Sequence, residues 1–294
     1  MSAAIAPTTP EQVVGETVAQ VRRETMQQIL RSKTVWIGIA IFGIWVVCAL
    51  IGTRIAPRDP FKVNPIGKHK APSADHFFGT DLLGRDVFSR VIVGARDILT
   101  VAPLATLLGT VLGTALGLTM GYFRGLLDDV LSRLVEAVLA LPLVIVAITA
   151  LAATGASKLT LIIVIGVVFA PIIARTVRAA VLAERELEYV AAARLRGERA
   201  PYVLFAEILP NVLPPILVEF TVRIAYAIFT IATLSFLGFG PQPPSPDWGL
   251  QISDAIRFTS AGYWWEALFP AVAIASLVTA VNLISDGIQQ AVKN

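Results

Sequence analysis

Six apolar stretches separated by shorter polar intervals set the pattern of the chain, near residues 35 to 56, 98 to 122, 130 to 154, 159 to 181, 208 to 238 and 264 to 285. Each reaches the roughly 20 residues that a helix needs to cross a bilayer. Lipid leaves backbone groups without water, so runs of this kind are read as helices and the chain as an all-α membrane protein with six transmembrane helices. The first run follows a polar tail of 34 residues. A signal peptide has a short charged start and a small-residue cleavage site, so this run is expected to stay as an uncleaved span. In the tail, from Pro10 to Lys33, Val14, Val18, Val21 and Ile29 recur at helical spacing among Glu and Arg. That suits an interfacial or partner-bound helix and equally a solvated one.

Patterns inside the spans add packing and charge. Gly109, Gly113, Gly117 and Gly121 recur every four residues, with Ala105 extending the line. One face of the second span is thus nearly bare, and another helix must lie against it, because close backbone approach drives association in lipid. Its neighbour is either a helix of the same bundle or a second subunit. Pro142, Pro171, Pro214, Pro215 and Pro270 interrupt or begin other spans, which is tolerated where neighbours or water satisfy the freed carbonyls. Glu219 and Arg223 stand four residues apart in the fifth span, on one helical face, and can pair. A charged pair at that depth either lines a translocation cavity or bridges two helices as a neutralised pair.

Composition agrees with the pattern and removes other classes. Hydrophobic residues make up 55% of the 294, charged residues 15%, and the mean hydropathy is +0.72, which leaves too few charges to cover a soluble globule. A net charge of +3 without a long basic run does not point to nucleic acid. Cys48 is alone and cannot form an internal disulfide, and His69 and His76 are read as isolated, so no metal is expected. The only Gly-Lys, Gly67-Lys68, lacks a P-loop and its hydroxyl residue, so the chain is not expected to bind ATP in that way. Neither His-Glu-x-x-His nor Gly-x-Ser-x-Gly occurs, and no catalytic set is visible.

Six spans would put both ends on one side, taken as cytoplasmic. From the second span onward nine basic residues fall on that side and two on the other, as the positive-inside rule asks. The eight basic residues between Arg54 and Arg96 point locally the other way.

A polar interval, Glu188-Tyr-Val-Ala-Ala-Ala-Arg-Leu-Arg-Gly197, lies between the fourth and fifth spans and is followed by Ile208-Leu-Pro210. Alanines favour a helix with a low surface, and Gly197 stands where a left-handed cap would end it. Alone it reads as either a cytoplasmic loop or a docking site. The interval resembles the EAA loop of ABC importer permeases, in which an alanine pair, a glycine four positions later and a Leu-Pro form helices that dock into an ATPase. The match runs through Ala192, Ala193, Gly197, Leu209 and Pro210, with Glu188 and Tyr189 at the start of the helix. Ala191 stands in place of the motif's glutamate, Glu207 stands at its isoleucine position with Ile208 beside it, and Glu188 is the candidate to replace the lost charge.

Phe78-Gly-Thr-Asp-Leu-Leu-Gly-Arg-Asp-Val-Phe-Ser-Arg90 with Gly94-Ala-Arg96, Leu234 to Gly240, Asp247-Trp-Gly249, Trp264-Trp265 and Phe269-Pro270 are similar to the dipeptide, oligopeptide and nickel group of these permeases, on its C-type side. The resemblance implies a type I ABC importer permease fold with a cytoplasmic coupling helix in a bacterial inner membrane. It also implies a homologous second permease, two ATPase subunits or one fused ATPase using ATP and Mg, and an external substrate-binding protein. No cofactor would be held by this chain. Residues 1–34 would then form a cytoplasmic tail, 35–97 the first transmembrane helix and an external segment, and 98–290 the transmembrane domain, with the coupling loop at 184–210. Short peptides are the expected cargo, nickel or another small solute the alternative. An ion-coupled secondary transporter would need inverted repeats, which are not found, and a channel would need a filter or a charged ring. A non-transporting scaffold would explain the glycine face and leave the docking loop without a use.

Overall fold

The computed structural model describes residues 32–293, with side chains to residue 290. The helix expected in the tail lies outside the described residues except for its last two members, Ser32 and Lys33. Among the described residues every regular element is helical, apart from one isolated bridge between Thr80 and Asp86. Five helices are long and apolar enough to cross a membrane, or six if one bent pair counts as a span.

Helix α1 (Lys33–Ile55) buries only a thin seam, including Gly38 and Gly52, and exposes Trp36, Ile44 and Leu50. A Cβ at Gly38 would lie 2.8 Å from the Ala280 carbonyl oxygen and one at Gly52 3.2 Å from the Ile92 side chain, so small residues let α1 lie on two neighbours. Helix α2 (Val87–Phe123) begins eleven residues before the expected 98, because the Asp86 side chain caps it by accepting from Ser89 N. Its first turns carry Arg90, Arg96 and Asp97 and therefore do not read as apolar.

The expected span at 130 to 154 is two helices, α3 (Leu126–Leu139) and α4 (Leu143–Thr154), bent by 87°. Pro142 is the cause: it has no N–H to continue α3, disfavours helical backbone at Leu141, and becomes the residue that precedes α4. With 12 residues, α4 is too short to span alone. Helix α5 (Lys158–Glu184) starts from a Ser157 cap whose hydroxyl accepts from Thr160 N.

The glycine line of α2 lies against α5 of the same chain. A Cβ at Gly109 would lie 2.9 Å from Gly166 O, one at Gly113 2.7 Å from Ala170 O, and one at Gly117 2.6 Å from the Val177 Cβ. Gly121 meets the Val181 side chain at 2.7 Å in the same way. Any side chain there would push the two backbones apart.

After α6 (Glu188–Leu195), helix α7 runs over Ala200–Phe236 and, after an α-helical first turn, Ala200–Tyr202, passes through a π-helical stretch, Val203–Ile208. A proline at 210 would strike the carbonyl four residues back, and the wider turn lies across that carbonyl. The helix thus starts eight residues before the expected 208. Helix α8 (Trp248–Thr259), capped by Asp247 on Leu250 N, and helix α9 (Trp265–Lys293) complete the bundle.

Residues 56–86 and the segment before α8 fold over one end of the bundle. Arg90 is buried and donates to Pro60 O at 3.3 Å and Ser245 O at 2.9 Å, while Trp248 donates to Val91 O at 2.8 Å. The two histidines read as isolated are both paired: His69 Nδ1 is 2.5 Å from Glu266 Oε1, and His76 Nδ1 is 2.8 Å from Asp86 Oδ1. Their partners lie 197 and 10 residues away, the first beyond any local pattern. Phe78 stacks on Phe269 with ring centroids 3.8 Å apart.

Candidate functional site: the helix between the fourth and fifth spans

Helix α6 has a buried face and an open one. Val190 and Ala193, three residues apart, are fully buried against the bundle. Glu188, Ala191, Ala192 and Leu195 share the other face and are exposed, Leu195 to 89%. The two alanines expected to admit a docking surface thus part company. Ala192 is on the open face, whereas the small size of Ala193 lets α6 lie on its own chain.

The end of α6 is set by Gly197, at φ 77°. Gly197 N donates to Arg194 O at 3.0 Å and Glu198 N to Ala193 O at 3.2 Å, which is the paired bonding of a Schellman end. A Cβ at Gly197 would meet nothing within 4 Å. Glycine is required there by backbone conformation, since an L side chain strains a left-handed residue even in open space.

Side chains brace the helix from three directions. The Tyr189 hydroxyl donates to Glu184 Oε2 at 2.7 Å, and burial, then that carboxylate, push the phenol up to about 12. It therefore stays a neutral donor. Arg185 donates to the Tyr122 carbonyl, Arg124 pairs with Glu186 at 2.6 Å, and the Arg194 guanidinium lies 5.2 Å over the Tyr122 ring. Arg196 reaches Glu207 at 3.1 Å, tying α6 to the π-helical stretch of α7. Glu207, the residue at the motif's isoleucine position, thus has an ion pair, and the buried Ile208 beside it supplies the apolar contact. Leu209 is half-buried on the core and Pro210 is exposed. Glu188 lies in the first turn of α6, where a carboxylate favours the helix dipole.

Glu219 and Arg223 do not join this site. Arg223 Nε donates to Glu219 Oε1 at 2.6 Å, both side chains are largely buried, and the guanidinium lies 5.2 Å over Tyr226. A second interhelical ion pair escaped the sequence reading. Arg178 on α5 donates from Nε and Nη2 to both oxygens of Asp128 on α3, at 2.7 and 2.8 Å. These partners are 50 residues apart, and the only local signal was arginine inside an apolar run. Leu195 was missed as well. A large apolar residue among arginines on a short polar helix was the available sign. Among the described residues no group of three or more His, Cys, Asp and Glu is placed to hold a metal.

A bundle of broken apolar helices carrying one short, braced helix between its fourth and fifth spans fits the architecture of a transport permease. The chain belongs to the family described as binding-protein-dependent transport system inner membrane component, which matches residues 113–294. It is 39% identical over 267 residues to the dipeptide transport system permease protein DppC of Escherichia coli (strain K12), covering 89% of each chain. It is 35% identical over 269 residues to DppC of Alkalihalophilus pseudofirmus, covering 92% of this chain and 88% of that protein. A putative peptide transport system permease of Brucella suis is 36% identical over 269 residues, with 90% and 89% covered. Among solved structures, a chain of the inward-facing MetNI methionine ABC transporter superposes with a TM-score of 0.57 at 20% identity, over 70% of this chain and 97% of that one. That likeness is one of fold. The protein is a multi-pass membrane permease subunit with the helical fold expected from its sequence.

Proposed function

We propose that this chain forms half of the translocation path of an ATP-driven importer of short peptides, and that the open face of α6 is the socket for a separate ATPase subunit. The observation that carries the reading is the division of α6 into a face packed on its own chain and a face, Glu188, Ala192 and Leu195, turned outward and ended rigidly at Gly197. A helix that transmits motion must not bend at its own attachment. The bracing by Tyr189, Arg196 and the Schellman end supplies that stiffness. ATP and Mg would be bound by the ATPase subunits, whose closure would move α6 and the attached start of α7. A homologous permease would complete the path, and an external binding protein would deliver cargo to the opposite end. Both termini would lie in the cytoplasm of a bacterial cell.

Peptide as cargo is supported by the relatives, dipeptide transport permeases similar over about nine-tenths of the chain. The test is purification of the chain with its neighbours from native membranes, reconstitution in liposomes with the external binding protein, and uptake of labelled dialanine. ATP-dependent uptake with a copurified nucleotide-hydrolysing subunit is expected. A lone homo-oligomer, or uptake driven by an ion gradient without ATP, would overturn the proposal.

A further inference from the structure

The polar faces of α3 and α5 form a ladder with one rung closed and one open. Asp128, Ser132 and Glu136 recur every four residues on one face of α3, and Arg175 and Arg178 stand three apart on α5. The chain enters α3 from the α6 end of the bundle, whereas α5 runs toward that end, so both helices go deeper together from Asp128 toward Glu136 and from Arg178 toward Arg175. The outer rung is shut, because Asp128 holds Arg178 through two bonds and accepts a third from Ser132 Oγ at 3.0 Å. Beyond it a pocket of about 420 Å³ separates the helices, lined by Ser132 and Glu136 on one wall, Arg175 and Arg178 on the other, and Met120 at the side.

Arg175 has no hydrogen-bond or ion-pair partner among the described residues, and its side chain is exposed. It sits nine residues before the end of α5 at Glu184, about 13 Å along the helix. An arginine at that depth facing hydrocarbon would cost several kcal/mol, so its face must be turned to water or to another charge. Glu136, on the facing wall, is bonded among the described residues only by Arg133 at 3.4 Å, with both side chains largely exposed, and otherwise feels the charge of Arg178. The pocket therefore offers an uncommitted cation on one helix and a weakly met carboxylate on the other, in a volume within the range of small-molecule sites.

We infer that this pocket is a cargo subsite for a small zwitterion with a free carboxylate, such as a short peptide. Arg175 receives the carboxylate and Glu136 faces the ammonium end. The inference rests on the peptide-importer reading and adds to it a place inside the membrane where cargo is held after leaving the binding protein. A guanidinium and a carboxylate form two parallel bonds, so the subsite reads the cargo's end and ignores its side chains. In the Glu219–Arg223 pair, by contrast, each charge is already met by the other at 2.6 Å.

The test uses the complete nucleotide-free complex in nanodiscs without binding protein, probed with labelled dialanine, its C-terminal amide and N-acetyl-dialanine. Wild type is expected to bind dialanine about tenfold more tightly than the amide, the loss expected for one charge-assisted contact. Arg175→Gln should bind dialanine about tenfold more weakly and no longer distinguish it from the amide, while Arg175→Lys keeps part of the preference. Dialanine binding to Arg175→Gln equal to wild type would overturn the subsite, as would the absence of saturable binding to wild type. If Arg175→Gln does not accumulate, equal binding of dialanine and its amide to wild type overturns it. Uptake by the full system separates the two readings. No dialanine uptake by wild type sinks the importer of peptides and the subsite with it. Wild-type uptake left unchanged per complex by Arg175→Gln sinks the subsite alone.

Discussion

The two ends of the molecule handle charge in opposite ways. At the end formed by residues 56–86 and α8, polar and charged groups close on their own chain: Arg90 on two carbonyls, Arg85 on Asp81 at 2.6 Å, His69 on Glu266 and His76 on Asp86. At the α6 end, several charges brace the helix, and its outer face carries alanines, a bare leucine and the Glu188 carboxylate, unpaired among the described residues. The first end is built to hold still by itself. The second is built to be stiff and unfinished, which is the condition of a surface that another subunit completes.

The sharpest way to break that contrast is to damage the closed end. Arg90→Met leaves the Pro60 and Ser245 carbonyls without their donor, at a cost of about 3 kcal/mol. Folded permease in the membrane should fall severely, with uptake per surviving molecule unchanged. Normal amounts of protein with reduced uptake would show that this end works in transport and is not merely structural. Next in size is Gly197→Val, whose strain at φ 77° costs about 1 to 2 kcal/mol. Here the protein should insert, and uptake should fall about tenfold or more while ATP hydrolysis persists; wild-type uptake would remove the case for a rigid end to α6.

Much of this contrast was legible in the sequence, and the parts that were not share a cause. The apolar runs announced the helices, because burying backbone in lipid needs length and hydrophobicity that a local reading can count. Gly197 announced the end of α6 because its demand is local too. The direction of Ala192 and Ala193 was not readable, since adjacent residues on a helix point about 100° apart and the phase is set by what lies beneath. The start of α2 was hidden by Arg90 and Asp97, charges that are satisfied by groups distant in sequence, such as Ser245 O and Lys158 Nζ. Pro142 stood in plain view, but its apolar flanks concealed an 87° bend inside one continuous run.

Smaller effects sharpen the comparison. Leu195→Asp should leave thermal stability within about 0.5 kcal/mol, as for an exposed site, and lower uptake several-fold; full uptake would mean that this face touches nothing. The closed end should also respond to pH. Burial pushes the Asp247 carboxyl up to about 6, from 3.8. The folded state then holds this proton more firmly than the unfolded chain between those values, so the group's contribution to stability rises as pH falls from 7 through 6 toward 4. Melting of detergent-solubilised protein should show that gain of about 1 to 3 kcal/mol, and Asp247→Asn should flatten it. The smallest effect is expected from Glu188→Gln. Because Ala191 replaces the motif's acid, shape and backbone carry the contact, and uptake should change less than about twofold, the scale of a screened surface charge. A tenfold loss would show that Glu188 has taken over the missing charge.

The central claim is that the open face of α6 meets the ATPase, and site-directed crosslinking tests it most directly. With the native Cys48 replaced by serine, a cysteine is placed by Leu195→Cys on the open face or by Val190→Cys on the buried one, and a short thiol-directed crosslinker is applied to native membranes. The account predicts that Leu195→Cys crosslinks to a nucleotide-hydrolysing subunit, that ATP trapping changes the yield, and that Val190→Cys gives no such product. Equal products from both positions, or none from Leu195→Cys in membranes where the subunits copurify, would contradict it.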